Sequence, residues 1–208
     1  QPFDGLITGL NAGKFDVIMA ALTATSAREQ IIDFSDSYSL TPQAFATIKG
    51  GRYQNLPLAG KTLFLSQDPS IARGTVKEIR TAMSGAIVGV VKGAVADALV
   101  QAYFPDAFSV REYRTGEEAL LDLISGRIDA VVNSRTFLSA TAKIPGYEKL
   151  VLTGPYYLGS MLGRGVAVGI RKSDLQLLKD FNEAIDAAKT DGTIKRLSMK
   201  WFGFDVTP

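Results

Sequence analysis

The sequence predicts an α/β fold with a mostly parallel sheet. Apolar runs of strand length alternate with helical patterns of about ten residues, and Gly-rich turns separate them. The clearest unit reads FSVREY (108–113), TGEEALLDLISG (115–126) and RIDAVVN (127–133), which is a strand, a helix and a strand. Thr115 and Glu118 have the spacing of a capping box at the start of that helix. Strands joined through helices in this way form parallel sheets with right-handed crossovers.

The other elements follow from the same patterns. In the first half they are a helix over 4–13 with Asp4 as its cap and Gly13 as its left-handed end, strands over 15–20 and 44–50, a loop over 51–60, a helix over 77–85, a strand over 86–93 and a helix over 94–104. Later come a strand over 165–172, a helix behind a second capping box of Ser173 and Gln176, and a short helix over 193–201. Helical spacing puts Leu178, Phe181, Ile185 and Ala188 on one face of the longer helix, and Ile194, Leu197 and Trp201 on one face of the shorter.

The composition narrows the possible functions. Of the 208 residues, 46% are apolar and 21% are charged, which is typical of a globular domain and not of a disordered chain. The 23 basic residues form no long cluster, so we expect no nucleic-acid partner. No apolar run approaches the ~18 residues of a membrane span, and the N-terminus QPFDG lacks the regions of a signal peptide. We therefore expect a soluble chain, whose signal peptide has been removed if the protein is exported.

The chain contains neither cysteine nor histidine. This excludes thiolate and Cys/His zinc sites, Ser-His-Asp triads, Cys-His nucleophiles and an imidazole general base. We expect no metal ion and no cofactor. The absence of disulfides is compatible with the periplasm and with the cytosol alike.

A stretch rich in hydroxyl groups, AALTATSAR (20–28), follows the first predicted strand. Ligands of open α/β sheets bind beyond the carboxyl ends of strands, where backbone N–H groups are accessible. Ala21 and Thr23 could offer such groups, and the planar fork of Arg28 could bind a carboxylate through two parallel hydrogen bonds. Alternatively, Thr23 or Thr25 caps a helix and Arg28 pairs with Asp33 or Glu29 on the surface.

A second candidate position is VKGAVADA (91–98), where a strand, a glycine and a helix start follow one another. Gly93 would let the backbone approach a ligand, and the amides of Ala94, Val95 and Ala96 could donate to it. A tight turn without a ligand is the alternative. Ser134 lies at the carboxyl end of the next strand, where a site is expected, whereas Asp129 is better explained by solvation of a strand start.

Two further features have simpler explanations. Phe34 and Tyr38 could stack on a ligand, but aromatic residues near a turn more often pack in the core. The Gly-rich stretch LGSMLGRGVAVG (158–169) is not a phosphate-binding loop, because it lacks the terminal Gly-Lys-Ser/Thr and runs into a predicted strand.

Four motifs keep a familiar order along the chain: FDGLITGLNAGKFDVIMAALTATSAREQIIDFSDSY, SGRIDAVVNS, GVAVGIRKSD and DGTIKRLSMKWFGFD. Together they resemble the periplasmic solute-binding proteins of polar amino acid and opine uptake, which serve ATP-driven importers. Ser37 stands where that family's DFSDPY pattern has proline. The resemblance implies a type II periplasmic-binding-protein fold with lobe 1 formed by residues 1–43 and 171–208 and lobe 2 by residues 44–170.

The resemblance also implies roles for individual residues. The family's ligand carboxylate would be held by Arg28, Thr23 and the backbone of Ala21, together with the turn at Ala94 and Val95. Ordinary amino-acid binders have an aspartate for the ligand's ammonium at the position of Ser134. The serine here, together with GPYYLGSMLGRGVAVG, is similar to the octopine and nopaline branch, whose ligands carry a secondary amine and an additional carboxylate.

Family members carry roughly fifty residues before the position that matches Gln1, including two strands and a helix of the first lobe. We therefore expect a shortened first lobe with an uncovered sheet edge and apolar surface, and self-association or a rearranged lobe that covers them.

The resulting hypothesis is non-catalytic binding of an amino acid or opine in the periplasm, with closure of two lobes around the solute and recognition by a membrane permease. One alternative is a structural or sensory remnant with lost or altered ligand binding. The other is an enzyme similar to the dehydratases of this fold, which without histidine would depend on Asp97 or Asp36.

Overall fold

The computed structural model describes residues 2–66, 68 and 74–208. The chain divides into two compact units, unit 1 (Gln1–Thr41 and Leu162–Pro208) and unit 2 (Pro42–Met161). The sequence placed the second boundary after residue 170, whereas the structure places 162–170 in unit 1. The reason is that the strand at Gly169–Ile170 pairs with two strands of that unit.

The helices and strands are as follows. The α-helices are α1 (Leu6–Asn11), α2 (Ser26–Glu29), α3 (Lys77–Ala82), α4 (Val95–Tyr103), α5 (Gly116–Ile124), α6 (Arg135–Thr141), α7 (Leu175–Thr190) and α8 (Thr193–Trp201), with 3-10 helices at Phe3–Gly5 and Ser160–Leu162. The strands are β1 (Val17–Ile18), β2 (Asp33–Phe34), β3 (Gln43–Ile48), β4 (Thr62–Phe64), β5 (Ile87–Val91), β6 (Ser109–Tyr113), β7 (Ala130–Ser134), β8 (Leu150–Leu158) and β9 (Gly169–Ile170). Within the described residues, none of the helices is both long and apolar enough to cross a membrane.

Unit 1 is built on a small antiparallel sheet with the order β1-β9-β2. Val166 extends this pairing through isolated bridges to Thr23 and Ser39. One side of the unit is filled by a core that includes Leu10, Ile18, Leu22, Ile32 and Ala167. On the other, Leu178 and Phe181 of α7 pack against Val168, Ile170 and Ile185, as the helical spacing predicted.

Unit 2 contains a six-stranded sheet with the order β4-β8-β3-β7-β5-β6. The pairs β5–β6, β5–β7 and β4–β8 are parallel, but β3 is antiparallel to both β7 and β8. Five of these six strands therefore run in the same direction, as the prediction of a mostly parallel sheet requires, and β3 runs against them. The chain enters the unit at the edge where β7 ends, because Gln43 lies opposite Ser134, so β3 has to run against β7.

Helix starts were predicted with mixed success. Thr115 caps α5 by accepting the N–H of Glu118 at 3.2 Å, as the capping-box spacing indicated. Asp4 does not cap α1, whose N-cap is Gly5 without a side-chain bond. The second capping box is also wrong, because Ser173 donates to Asp174 instead, and α7 starts at Leu175 without a side-chain cap.

The sequence analysis missed β8 and misjudged the extent of β9. Strand β8 contains Gly154 and Pro155, which argue against a strand in a sequence pattern. The structure accommodates them at an irregularity, where the register with β3 shifts between Ala44 and Phe45 and Gly154 has φ +69°. The strand predicted over 165–172 is shorter in the structure and spans Gly169–Ile170. The residues before it contact the segment around Ala24.

Candidate ligand-binding site

The first group of predicted site residues, which we call the arginine cluster (Ala21, Thr23 and Arg28), lies in unit 1. Arg28 is half-buried on α2, and its Nη1 donates to the Thr23 carbonyl at 2.9 Å. Its Cζ lies 5.6 Å from the centroid of the Phe3 ring. Burial lowers the pKa of the Arg28 guanidinium, because desolvation disfavours the charged form. The guanidinium is thus oriented and partly desolvated, which is the state in which a carboxylate stabilises it most.

The alternative explanation for this stretch is confirmed for the helix cap. Thr25 is the N-cap of α2 and accepts the Arg28 backbone N–H at 3.4 Å. The two acidic residues proposed as surface partners of Arg28 have other partners. Glu29 pairs with Arg164 at 2.9 Å, and Asp33 pairs with Lys172 at 3.2 Å.

Ala21 and Thr23 differ in exposure, because Ala21 is exposed and Thr23 is buried. Ala21 is solvent-exposed and has φ +53°, a left-handed conformation that is rare for a residue with a Cβ and is often found at binding sites. Burial raises the pKa of the Tyr38 phenol, and a hydrogen bond with the Ala21 backbone partly offsets this shift. The Ala21 backbone therefore lies within reach of the Tyr38 hydroxyl. Phe34 is buried in the core, so packing explains it.

Residues 163–166, which the sequence analysis did not connect with the site, hold the arginine cluster in place. Ala24 donates its N–H to the Gly165 carbonyl at 2.9 Å and accepts the Arg164 N–H at 3.0 Å. A Cβ at Gly163 would lie 2.3 Å from the Ala24 carbonyl oxygen, so only glycine fits this approach. The glycines of this stretch thus permit close backbone packing, and the stretch leads into β9 and not into a helix.

The second group, which we call the strand-end cluster (Gly93, Ala94, Val95 and Ser134), lies in unit 2. Strands β5 and β7 are parallel neighbours with Gly89 opposite Val131, so their carboxyl ends share one edge of the sheet. The turn after β5 and the start of α4 lie at this edge, and α4 packs against β7. Gly93 has φ +71°, as a glycine at such a turn requires.

In the strand-end cluster, the backbone N–H of Ala94, predicted to donate to a ligand, has a partner within the protein. The Ala94 N–H donates to the Val91 carbonyl at 3.0 Å, and the Gly93 N–H donates to Asp97 Oδ2 at 3.0 Å. In this structure Ala94 therefore donates within its turn. Val95 begins α4 and its side chain is buried, so its possible contribution is its backbone N–H.

Ser134 has a structural role at the junction of β7 and α6. Its Oγ accepts the Phe137 N–H at 3.3 Å and lies 3.2 Å from Thr136 Oγ1, which makes Ser134 the N-cap of α6. Asp129 is also structural, since its Oδ2 accepts the Ile87 N–H at 2.8 Å at the start of the neighbouring strand.

Comparison with known proteins agrees with this architecture. Residues 1–204 match the family model of bacterial extracellular solute-binding proteins, family 3. The octopine-binding periplasmic protein of Rhizobium meliloti is 35% identical over all of this chain and 76% of its own length. The L-arginine-binding protein of Pseudomonas aeruginosa is 32% identical over 99% of this chain and 72% of its own length. A solved structure of an ancestral arginine-binding protein bound to arginine matches 97% of this chain and 78% of its own, with a TM-score of 0.75 and 29% identity.

These similarities confirm three predictions from the sequence. The fold is a mixed α/β fold of the type II periplasmic-binding-protein class. The function is non-catalytic solute binding, and the chain is not an enzyme, because the family and its relatives consist of solute-binding proteins. The resemblance found in four sequence motifs is likewise confirmed. The chain belongs to family 3 of the bacterial extracellular solute-binding proteins.

Proposed function

We propose that this protein binds a small solute with an α-carboxylate, an opine or a basic amino acid, and presents it to the permease of an ATP-driven importer. The names of its relatives, an octopine-binding and an arginine-binding protein, support this ligand class. Because relatives are periplasmic, we place the protein in the periplasm as well.

The observation that carries the proposal is the environment of Arg28. Its guanidinium is half-buried and is oriented by the Thr23 carbonyl and the Phe3 ring. A guanidinium in this position can form two parallel, charge-assisted hydrogen bonds with a carboxylate, and such bonds are stronger in a partly desolvated environment than in water. We assign the ligand's α-carboxylate to Arg28, with Thr23 and Ala21 as further contacts.

We propose that the strand-end cluster also binds an anionic group of a solute. The Val95 amide at the start of α4 is a suitable donor to an anionic group, since helix N-termini carry a partial positive charge. Ala94 contributes through the shape of its turn. The Ser134 hydroxyl offers a neutral contact where a carboxylate would favour a primary ammonium, which suits the secondary amine of an opine.

A thermal-shift panel tests the proposal, followed by calorimetry on any solute that responds. Octopine, nopaline, L-arginine, L-lysine and L-histidine should be compared with succinate and D-glucose as controls. A ligand of the native state raises the melting temperature in proportion to the logarithm of its concentration. We expect octopine or arginine to do so, and the effect should disappear in Arg28→Met. A flat response to every opine and amino acid would overturn the proposal and favour the remnant hypothesis.

We further propose that unit 1 mediates self-association. Leu175 and Trp201 are 66% and 60% exposed, and Leu197 and Met199 on α8 are also exposed. Apolar surface of this kind is a common protein contact. Light scattering should show a dimer or larger species that Trp201→Lys weakens, and a monodisperse monomer at micromolar concentration would contradict this.

A further inference from the structure

We infer that Arg164 is a positioning residue for Arg28: it holds the chain on both sides of Arg28, so that the guanidinium is aligned before any solute arrives. This inference rests on the proposed function, because it assigns Arg164 a part in the same carboxylate site. The sequence analysis assigned Arg164 no role of its own, although this residue lies in the Gly-rich stretch 158–169.

The backbone of Arg164 bonds to the segments before and after β2. Its N–H donates to the Ala24 carbonyl at 3.0 Å, and its own carbonyl accepts the Ser37 hydroxyl at 3.1 Å. Ala24 directly follows Thr23, whose carbonyl is the acceptor for Arg28 Nη1. A shift of residue 164 would therefore move the acceptor that orients Arg28.

The side chain of Arg164 bonds to α2 and to the segment after β2. Its Nε donates to Glu29 Oε1 at 2.9 Å, and Glu29 follows Arg28 on the single turn of α2. Both Nη atoms donate to the Ser35 carbonyl at 3.2 Å, and Nη1 also donates to Ser37 Oγ at 3.4 Å. The guanidinium thus links α2 to the segment that follows β2.

Helix α2 needs such external support. It spans only Ser26–Glu29, and a helix of one turn has too few internal hydrogen bonds to persist by itself. Thr25 caps its start, and the bond from Arg164 to Glu29 secures its end. The direction of Arg28 from this turn therefore depends on contacts with residues distant in sequence.

Only an arginine can make this set of contacts. Its planar fork reaches the Glu29 carboxylate and the Ser35 carbonyl at the same time, whereas the ammonium of lysine is a single point charge. The flanking glycines leave little freedom for rearrangement, since a Cβ at Gly165 would lie 3.0 Å from the Ser39 carbonyl oxygen. The segment is consequently fixed in position by its neighbours.

Arg171 provides a matched control in the same unit. Its Nη1 donates to the carbonyls of Leu10 and Phe15, and its guanidinium pairs with Asp16 at 2.9 Å and Asp174 at 2.8 Å. These contacts join elements of unit 1 but none of them involves α2. Loss of Arg171 should lower stability without affecting Arg28.

The direct test is the NMR signal of the Arg28 guanidinium in the ligand-free protein, assigned by its loss in Arg28→Lys. We expect Arg164→Met and Arg164→Lys to broaden or shift this signal while the remaining spectrum stays dispersed, and Arg171→Met to leave it unchanged. An Arg28 signal that is unaltered in Arg164→Lys, or altered equally in Arg171→Met, would overturn the inference. Because Arg164→Lys retains a charge and most of the side-chain volume, this variant can be used for the test if Arg164→Met does not fold.

A double-mutant cycle with octopine adds a functional readout. Arg164→Lys should weaken octopine binding about tenfold in the native background, the scale expected for a misaligned charge-assisted bond, and hardly at all in an Arg28→Lys background. Equal losses in both backgrounds would contradict positioning through Arg28. If the native protein binds no opine or amino acid, the proposed function fails, and the NMR signal still decides whether Arg164 positions Arg28.

Discussion

The arginine cluster and the strand-end cluster are constructed in different ways. In the strand-end cluster, each turn is held mainly by hydrogen bonds between residues three or four positions apart. The pairs are Gly93 with Asp97, Ala94 with Val91, and Ser134 with Phe137. In the arginine cluster, the supporting contacts come from Arg164, which is separated by 135 residues from Glu29 and by 127 from Ser37. The geometry of the strand-end cluster is thus determined locally, whereas the geometry of the arginine cluster forms only once unit 1 has folded.

This difference predicts where substitutions do most damage. A change in the strand-end cluster should have a limited effect, because neighbouring turns do not depend on it. A change in the segment that supports the arginine cluster should disturb several elements of unit 1 together. Substitutions at Gly163, Ser134 and Tyr157, with their controls, test this contrast.

Gly163→Ala should have the largest effect. The new Cβ would lie 2.3 Å from the Ala24 carbonyl oxygen, at a residue with φ +79°. Overlap with the backbone and an unfavourable φ should together lower the free energy of unfolding by about 3 kcal/mol or more. Gly13→Ala is the matched control, since Gly13 has φ +70° with nothing within 4 Å of the added Cβ, and it should cost about 1 kcal/mol. Urea unfolding measures both, and similar losses would refute the close approach.

The Ser134 substitutions should have a smaller, separable effect. Ser134→Ala removes the N-cap of α6 and should cost about 1 kcal/mol. Ser134→Asp keeps a capping oxygen, so stability should remain near that of the native protein, while the added charge should shift ligand preference towards primary amines. Stability from urea unfolding and affinities for octopine and arginine are the measurements. If Ser134→Asp were as unstable as Ser134→Ala, the capping role would be wrong.

Tyr157→Phe should change the free energy of unfolding least, and in the direction of higher stability. Within the described part of the chain, the Tyr157 hydroxyl is buried and has no hydrogen-bond partner. Deleting an unsatisfied buried hydroxyl should leave stability unchanged or raise it by up to about 1 kcal/mol. Tyr38→Phe in unit 1 should instead be destabilising, because Tyr38 bonds the Ala21 backbone. A marked loss of stability in Tyr157→Phe would show that the hydroxyl has a partner.

The pH dependence provides a further check on Tyr157. Burial raises the pKa of this phenol, so the folded protein retains the proton above the pH of about 10 at which an unfolded tyrosine loses it. The native state then binds more protons than the unfolded state, and stability falls as the pH rises beyond that value. Tyr157→Phe should reduce this alkaline loss.

The same contrast explains how much could be predicted from the sequence. The strands and helices of unit 2 around 86–134 were placed to within about three residues, because capping by Thr115 and the left-handed turn at Gly93 are local signals. The role of Arg164 and the pairing of 162–170 with unit 1 could not be predicted, because they depend on contacts across more than a hundred residues. The antiparallel direction of β3 was missed for the same reason. Arg28 was singled out by its place after the first predicted strand, the resemblance favoured its role as a carboxylate ligand, and its orientation required the structure.

The most direct test of the account is the calorimetric affinity of octopine for the native protein, Arg28→Lys and Arg28→Met. If the Arg28 guanidinium binds the ligand's carboxylate, Lys should weaken binding about tenfold or more through loss of the fork, and Met should weaken it further through loss of the charge. Affinities that are equal in all three proteins, with the native protein binding octopine, would show that the carboxylate is held elsewhere.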